Sequence, residues 1–130
     1  MKKNVLFLMV IAGLFMASCN QNKSKTPEQL KNEVVGIYHG TLPCADCSGI
    51  QQTLTLNNDD SYVMERVYLG KGDGTPYTDR GTYRIENERV ILSGITDAPS
   101  DYKIHEGSLE QMDMSGNKVD SDFDYRLYKR

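Results

Sequence analysis

Short stretches in which apolar and polar residues alternate dominate the chain after residue 33. The clearest stretch is Ile50–Asn57, where Ile50, Leu54 and Leu56 share one parity and polar residues occupy the other. A period of two places the apolar side chains on one face of a half-buried strand. No apolar pattern with spacings of three and four persists for three turns in this region. The pattern therefore predicts an all-β domain.

Turn-forming residues divide this region into eight predicted strands. Asn57–Asp60 is a turn cluster, residues 70–76 form a glycine-rich hairpin loop, and Pro99 interrupts a later run. Eight short antiparallel strands favour a small closed barrel, because closure removes the exposed edges of an open sheet. Such a barrel is filled by side chains or holds one small ligand. The predicted strands are Val34–Leu42, Ile50–Asn57, Ser61–Leu69, Tyr77–Ile85, Arg89–Ile95, Asp101–Glu106, Ser108–Asp113 and Phe123–Lys129.

The first 18 residues have the pattern of a signal peptide. Lys2 and Lys3 precede an apolar run at residues 5–16, and small residues stand directly before Cys19. The run is shorter than the roughly 20 residues that a membrane-spanning helix needs. Met16-Ala17-Ser18-Cys19 resembles the bacterial lipobox, which implies cleavage before Cys19 and a lipid anchor on it. Residues 1–18 are therefore predicted to be a lipoprotein signal peptide.

Residues 19–33 are predicted to be the lipidated cysteine and a flexible tether, because residues 20–27 are polar and lack apolar periodicity. Thr26-Pro27 is a helix start signal, so residues 28–33 form either one helical turn or the tail of the tether. The folded domain is then 34–130. Loss of the two signal-peptide lysines lowers the net charge from −3 to −5. This scattered, acidic balance predicts no nucleic-acid partner.

Cys44 and Cys47 form a Cys-x-x-Cys motif in the first predicted loop of the barrel. Once Cys19 is lipidated they are the only two thiols, so within one chain they pair only with each other. Structural zinc is not expected, because the chain offers only His39 and His105 and no second pair at metal-ligand spacing. No βαβ pattern of a thioredoxin-like site surrounds the motif. Three alternatives remain: a structural disulfide, a soft-metal site and an exchange-active redox switch.

The soft-metal alternative rests on the affinity of thiolates for Cu(I), with a thioether or an imidazole completing the site. Methionines on strands are more often core residues than ligands, and the disulfide and the metal site can be two states of one pair. The candidate additional ligands are Met64, Met112, Met114 and His39.

The segment Gly36–Ile50, GIYHGTLPCADCSGI, followed by Leu54-Thr55-Leu56, resembles the signature of the NlpE family. Gly81-x-Tyr83 and Tyr125-x-Leu127 also fit, and the resemblance extends over residues 34–130. It implies a lipocalin-like barrel on an outer-membrane lipoprotein, periplasm-facing or surface-exposed, with roles in copper resistance and envelope-stress sensing.

The resemblance matches Cys44 and Cys47 to the Cys-x-x-Cys of the family and Cys19 to its lipidated cysteine. Full-length relatives have a second, C-terminal domain with its own cysteines. Roles that depend on that second domain are not carried over to this chain.

No enzymatic activity is predicted, because the sequence shows neither a catalytic triad at a justified spacing nor a phosphate-binding motif. The leading hypothesis is a copper-handling or stress-sensing lipoprotein, held at a membrane by Cys19 and acting through Cys44 and Cys47 or through an envelope protein partner. The alternative to this hypothesis is a lipocalin-like barrel that carries a small apolar ligand in a cavity lined by Tyr38, Leu54, Leu56, Tyr83 and Ile85. A third possibility is a surface module that only binds a partner.

Overall fold

The computed structural model describes residues 24–130, together with Gly13. In residues 24–130 the chain forms one short helix and eight antiparallel strands, and pairing of the last strand with the first closes a barrel. The all-β barrel predicted from the sequence is confirmed. Apart from Gly13, the predicted signal peptide lies outside the described residues, as does Cys19. The elements are α1 (Pro27–Val34), β1 (Gly36–Leu42), β2 (Gly49–Leu56), β3 (Ser61–Leu69), β4 (Tyr77–Glu86), β5 (Arg89–Leu92), β6 (Asp101–His105), β7 (Ser108–Gln111) and β8 (Arg126–Lys129).

Most strand ends lie within one or two residues of their predicted positions, and the largest differences are at β5 and β8. Strand β5 stops at Leu92 because Gly94 turns the chain with a left-handed backbone conformation, φ 80°. Strand β8 begins at Arg126, whose N–H donates to Asp124 Oδ1 at 3.0 Å in a local turn. Phe123, predicted to start this strand, is 71% exposed.

Helix α1 begins with a capping box. Thr26 Oγ1 accepts a hydrogen bond from Gln29 N–H at 3.3 Å, and the Gln29 side-chain oxygen accepts one from Thr26 N–H at 3.0 Å. These reciprocal bonds satisfy two amide donors that a helix start otherwise leaves free. Among the described residues, no helix has the length and apolar character needed to cross a membrane.

The inner face of α1 packs on the barrel. Leu30 and Val34 are buried, and the Tyr38 hydroxyl donates to the Val34 carbonyl at 2.9 Å. Lys129 on β8 donates to the Glu33 carbonyl at 2.6 Å. Of the two alternatives for residues 28–33, the structure has the helix, because a capped helix with two buried apolar side chains docks on the barrel over Pro27–Val34.

The antiparallel order divides the connections between the two ends of the barrel. Helix α1 enters β1 at one end, where the other strand connections are short turns. The four longer loops, at residues 43–48, 70–76, 93–100 and 112–125, lie at the opposite end. The Cys-x-x-Cys loop (43–48) and the glycine-rich loop (70–76) are therefore brought to the same end.

The barrel interior is filled by buried side chains. Four residues proposed to line an apolar cavity belong to this cluster, and the fifth, Ile85, packs against it. The structure thus gives them a packing role. The cluster contains Val34, Tyr38, Leu42, Leu54, Leu56, Tyr62, Met64, Tyr83, Val90, Leu92, Tyr102, Leu109 and Leu127.

A buried polar group lies among these apolar side chains. Gln52 Nε2 donates to the Tyr102 hydroxyl at 2.7 Å, and that hydroxyl is 3.3 Å from Gln111 Oε1, to which it donates. Gln52 and Tyr102 are both buried. Because buried polar groups are tolerated when they are hydrogen-bonded, this network fixes the position of β2 against β6 and β7.

We expect alkaline pH to destabilise the barrel. Burial raises the pKa of Tyr38 to about 12 and also raises the pKa of Tyr102. The neutral phenol is therefore favoured in the folded state. The resulting stability is full below the ordinary tyrosine pKa of about 10 and is lost as the pH rises through the folded-state values.

Urea unfolding followed by circular dichroism should show a midpoint that falls as the pH rises above about 10. The Tyr102→Phe variant should lose part of this slope, because it removes one ionisable phenol. A midpoint that stays constant up to about pH 12 in the wild-type chain would contradict the expectation.

Candidate functional site

The Cys-x-x-Cys loop connects β1 to β2. Cys44 Sγ and Cys47 Sγ lie 2.04 Å apart, which is the distance of a bonded disulfide, and their Cα atoms are 5.3 Å apart. Both cysteines are partly exposed. The two predicted site residues are therefore together and open to solvent at the loop end of the barrel.

Asp46 stands between the two cysteines and belongs to the same cluster. One ligand atom from each of Cys44, Asp46 and Cys47 lies within 4.8 Å of the others, and Cys44 Sγ is 3.4 Å from Asp46 Oδ1. With the disulfide reduced, the cluster offers two soft thiolates and one hard carboxylate. The thiolates fit a soft ion such as Cu(I), whereas tetrahedral zinc needs a fourth ligand.

The other predicted soft ligands have different surroundings. Met64 and Met112 are buried, and Met64 Sδ lies 4.0 Å from the Tyr102 hydroxyl inside the barrel. Met114, in the loop between β7 and β8, is 64% exposed. His39 Nδ1 is 2.9 Å from Thr53 Oγ1 on the neighbouring strand, and His39 is not part of the cysteine cluster.

The Cys-x-x-Cys loop rests on the glycine-rich loop. Asp46 forms an ion pair with Lys71, and Ser48 N–H donates to the Leu69 carbonyl at 2.9 Å. A Cβ atom at Gly70 would come within 2.6 Å of Ser48 Oγ, and the backbone there is left-handed with φ 71°. Glycine is required at this position for both reasons. The state of one loop is thus coupled directly to the position of the other.

The ion pair between the loops changes the titration of both partners. A hydrogen bond from the Lys71 ammonium, together with its charge, lowers the pKa of Asp46, and Asp46 raises the pKa of Lys71 in the same way. Both groups therefore stay charged over a wider pH range than isolated side chains. Sequence reasoning missed both residues. A carboxylate between the cysteines is a visible signal, but Lys71 lies 25 positions further along and has none.

These features define a class: a small, closed eight-stranded barrel whose first loop carries a disulfide-bonded Cys-x-x-Cys and a carboxylate. The sequence profile of the NlpE N-terminal domain matches residues 38–122. The chain is 30% identical to Lipoprotein NlpE of Escherichia coli strain K12 over 133 residues, which cover 97% of this chain and 56% of that protein. The chain belongs to the NlpE family, as its resemblance predicted.

Two solved structures and a second curated relative are also similar to this chain. A lipoprotein from Shewanella oneidensis is 34% identical with a TM-score of 0.66, covering 77% of this chain and 94% of that one. The Cpx pathway activator NlpE from Escherichia coli is 32% identical with a TM-score of 0.57, covering 73% of this chain and 50% of that one. The 17 kDa lipoprotein of Treponema pallidum strain Nichols is 32% identical over 78 residues, covering 59% of this chain and 50% of that protein. The chain therefore spans about half the length of the curated relatives it matches.

Proposed function

We propose that this chain is an envelope lipoprotein that senses stress through the chemical state of the Cys44–Cys47 pair. The observation that carries the proposal is the partly exposed disulfide pair, whose loop is docked on a second loop through Asp46 and Lys71. Both curated relatives are described as lipoproteins, and the solved Escherichia coli relative as a Cpx pathway activator. These descriptions support a signalling role for an envelope lipoprotein.

The disulfide provides the chemical switch. A dithiol of a partner protein attacks the Cys44–Cys47 bond and leaves as a disulfide, and the two cysteines gain two electrons and two protons. The small ring that restrains Asp46 then opens, and Asp46 is no longer held towards Lys71. Release of the glycine-rich loop changes the surface at this end of the barrel, and an envelope protein partner reads that change.

We propose further that the reduced cysteine pair binds copper as Cu(I). The reduced pair offers two thiolates, which are suitable ligands for Cu(I), and metal binding releases their protons. The Asp46 carboxylate adds a negative charge within 4.8 Å of both sulfurs, which favours a cation. We assign Asp46 this electrostatic role, because a carboxylate is a poor ligand for a soft ion.

The first residues of the chain support a proposal for its cellular location. We propose that residues 1–18 are removed, that Cys19 carries the lipid anchor, and that residues 20–26 tether the barrel to the outer membrane. The family supports this, since the relatives are described as lipoproteins. An extracytoplasmic location also suits an oxidised cysteine pair.

Cu(I) titration of the mature chain tests the copper proposal, with Cys19→Ser used to prevent lipidation. The reduced protein should bind Cu(I) at least about 100-fold more tightly than the Cys44→Ser/Cys47→Ser variant, because both thiolates are lost. The matched Asp46→Asn variant keeps both thiolates and should stay within about tenfold of the parent. Equal affinity of the parent and the double serine variant would exclude the copper site.

A reporter strain tests the sensing proposal separately. Cells that carry the full-length, lipidated chain should raise an envelope-stress reporter after copper or reductant exposure, and cells with the Cys44→Ser/Cys47→Ser variant should not. Immunoblots of membrane fractions check that both proteins are present in equal amounts. An equal response from the two strains would contradict sensing through the cysteines, whatever the copper affinity.

A further inference from the structure

A groove opens beside the glycine-rich loop, at the same end of the barrel as the cysteine pair. We name it the mouth groove, and its volume is about 490 Å³. This volume is in the range of small-molecule binding sites. The charged and aromatic side chains that line the groove are Arg66, Tyr68, Lys71, Asp73, Tyr77 and Asp97.

Arg66 lies at the groove as part of an ion pair. Its side chain is only 11% exposed, and its guanidinium pairs with Asp79. Within residues 24–130, Arg66 Nε is buried and has no hydrogen-bond partner. Because Nε is shielded from solvent, Arg66 lines the groove as half of the Arg66–Asp79 ion pair, and its Nε makes no direct contact with a ligand.

Two tyrosines supply an aromatic surface. The rings of Tyr68 and Tyr77 meet edge to face, with centroids 5.5 Å apart and planes at 89°. Tyr77, the first residue of β4, is 63% exposed. A large aromatic side chain left exposed beside a groove is typical of a binding surface.

The charges around the groove restrict the ligand. Arg66 is neutralised by Asp79 and Lys71 by Asp46, whereas Asp73 and Asp97 have no cationic partner among the described ion pairs. The unbalanced charge is negative, so an anionic ligand is repelled. An apolar ligand would bury these polar groups without hydrogen bonds.

We infer that the mouth groove binds a neutral saccharide of one or two rings. Hydroxyl groups of the sugar donate to the carboxylate of Asp97 and to that of Asp73, one oxygen of which already accepts from Thr75 N–H. The apolar face of the sugar ring lies against Tyr77. The ligand contacts neither Cys44 nor Cys47, so saccharide binding to the oxidised chain is tested without any assumption about sensing.

Amide shifts in two-dimensional NMR test the site on the full mature chain with Cys19→Ser. The probes are maltose and N,N′-diacetylchitobiose, with glucuronate as an anionic comparison. The neutral disaccharides should shift amides of residues 66–77 and 97, and glucuronate should bind at least about tenfold more weakly. All measurements use the oxidised chain, in which the Cys44–Cys47 disulfide is intact and Asp46 pairs with Lys71 of the glycine-rich loop.

Variants separate stacking from unspecific contact. Tyr77→Ala should weaken disaccharide binding at least about tenfold, because packing of the sugar ring on the tyrosine ring is lost. Asp97→Asn, at an exposed position, should also weaken it, because a charged hydrogen-bond acceptor is lost. Tyr128→Ala, at a tyrosine on β8 that is also exposed, is the matched control and should bind normally. No shifts with either disaccharide, or shifts that survive Tyr77→Ala, would overturn the inference.

Discussion

Replacing Leu127 by alanine is expected to lower the free energy of unfolding by about 2 to 5 kcal/mol. Leu127 is fully buried and lies in β8, the strand that closes the barrel. Strand β8 is only four residues long and shares two residue pairs with β1. With so few backbone pairs, packing of this side chain contributes much of the stability of the seam between β1 and β8.

Urea unfolding measured by circular dichroism checks this value. Leu127→Met conserves most of the volume and should cost less than about 1.5 kcal/mol. Ile37→Ala, at a partly exposed position on β1, should cost less than Leu127→Ala because no comparable cavity forms. Equal stability of the alanine and methionine variants at position 127 would contradict this role of side-chain packing.

Valine in place of Gly40 is expected to destabilise the same seam by about 3 kcal/mol or more. A Cβ atom at position 40 would lie 2.6 Å from the Arg126 carbonyl oxygen and 3.2 Å from Leu127 Cδ2. The carbonyl belongs to the backbone, so it cannot move without separating β8 from β1. Glycine is therefore required here by close approach of two strands, not by an unusual backbone angle.

A graded pair of alanine variants tests this cause. At Gly81 the added Cβ would meet its nearest atoms, the Ser93 carbonyl oxygen and Tyr62 Cε1, at 3.0 Å. Gly40→Ala should therefore be less stable than Gly81→Ala, and Gly40→Val less stable than either. Thermal unfolding of the three variants gives their order of stability. The reverse order for the two alanine variants would contradict a steric clash between β1 and β8 as the cause.

Local patterns allowed much of the fold to be predicted. Alternation in β2 and turn-forming residues located the strands, because strand formation and turns depend on neighbours in the sequence. The helix start at Thr26-Pro27 was visible for the same reason. Its docking was not, since burial of Leu30 depends on the barrel that it contacts.

Patterns that were ambiguous along the chain became defined only in the barrel. Strand β3 has apolar residues on both parities, and the structure places Tyr62 and Met64 in the core while Val63 and Val67 are only partly buried. His39 shares the parity of exposed Ile37, opposite to that of buried Tyr38, so it lies on the outer face of β1. There it forms a hydrogen bond with Thr53.

The cysteine pair shows the same division between sequence and structure. The sequence alone determined that Cys44 and Cys47 are close and belong to the first loop, because three residues of separation leave little choice. Only the tertiary structure placed Lys71 on Asp46 and Arg66 opposite Tyr77 on the neighbouring strand, and only closure joined Gly40 to β8. The physical reason is that these contacts depend on strand register and closure, which bring distant residues together and leave no periodic signal in the chain.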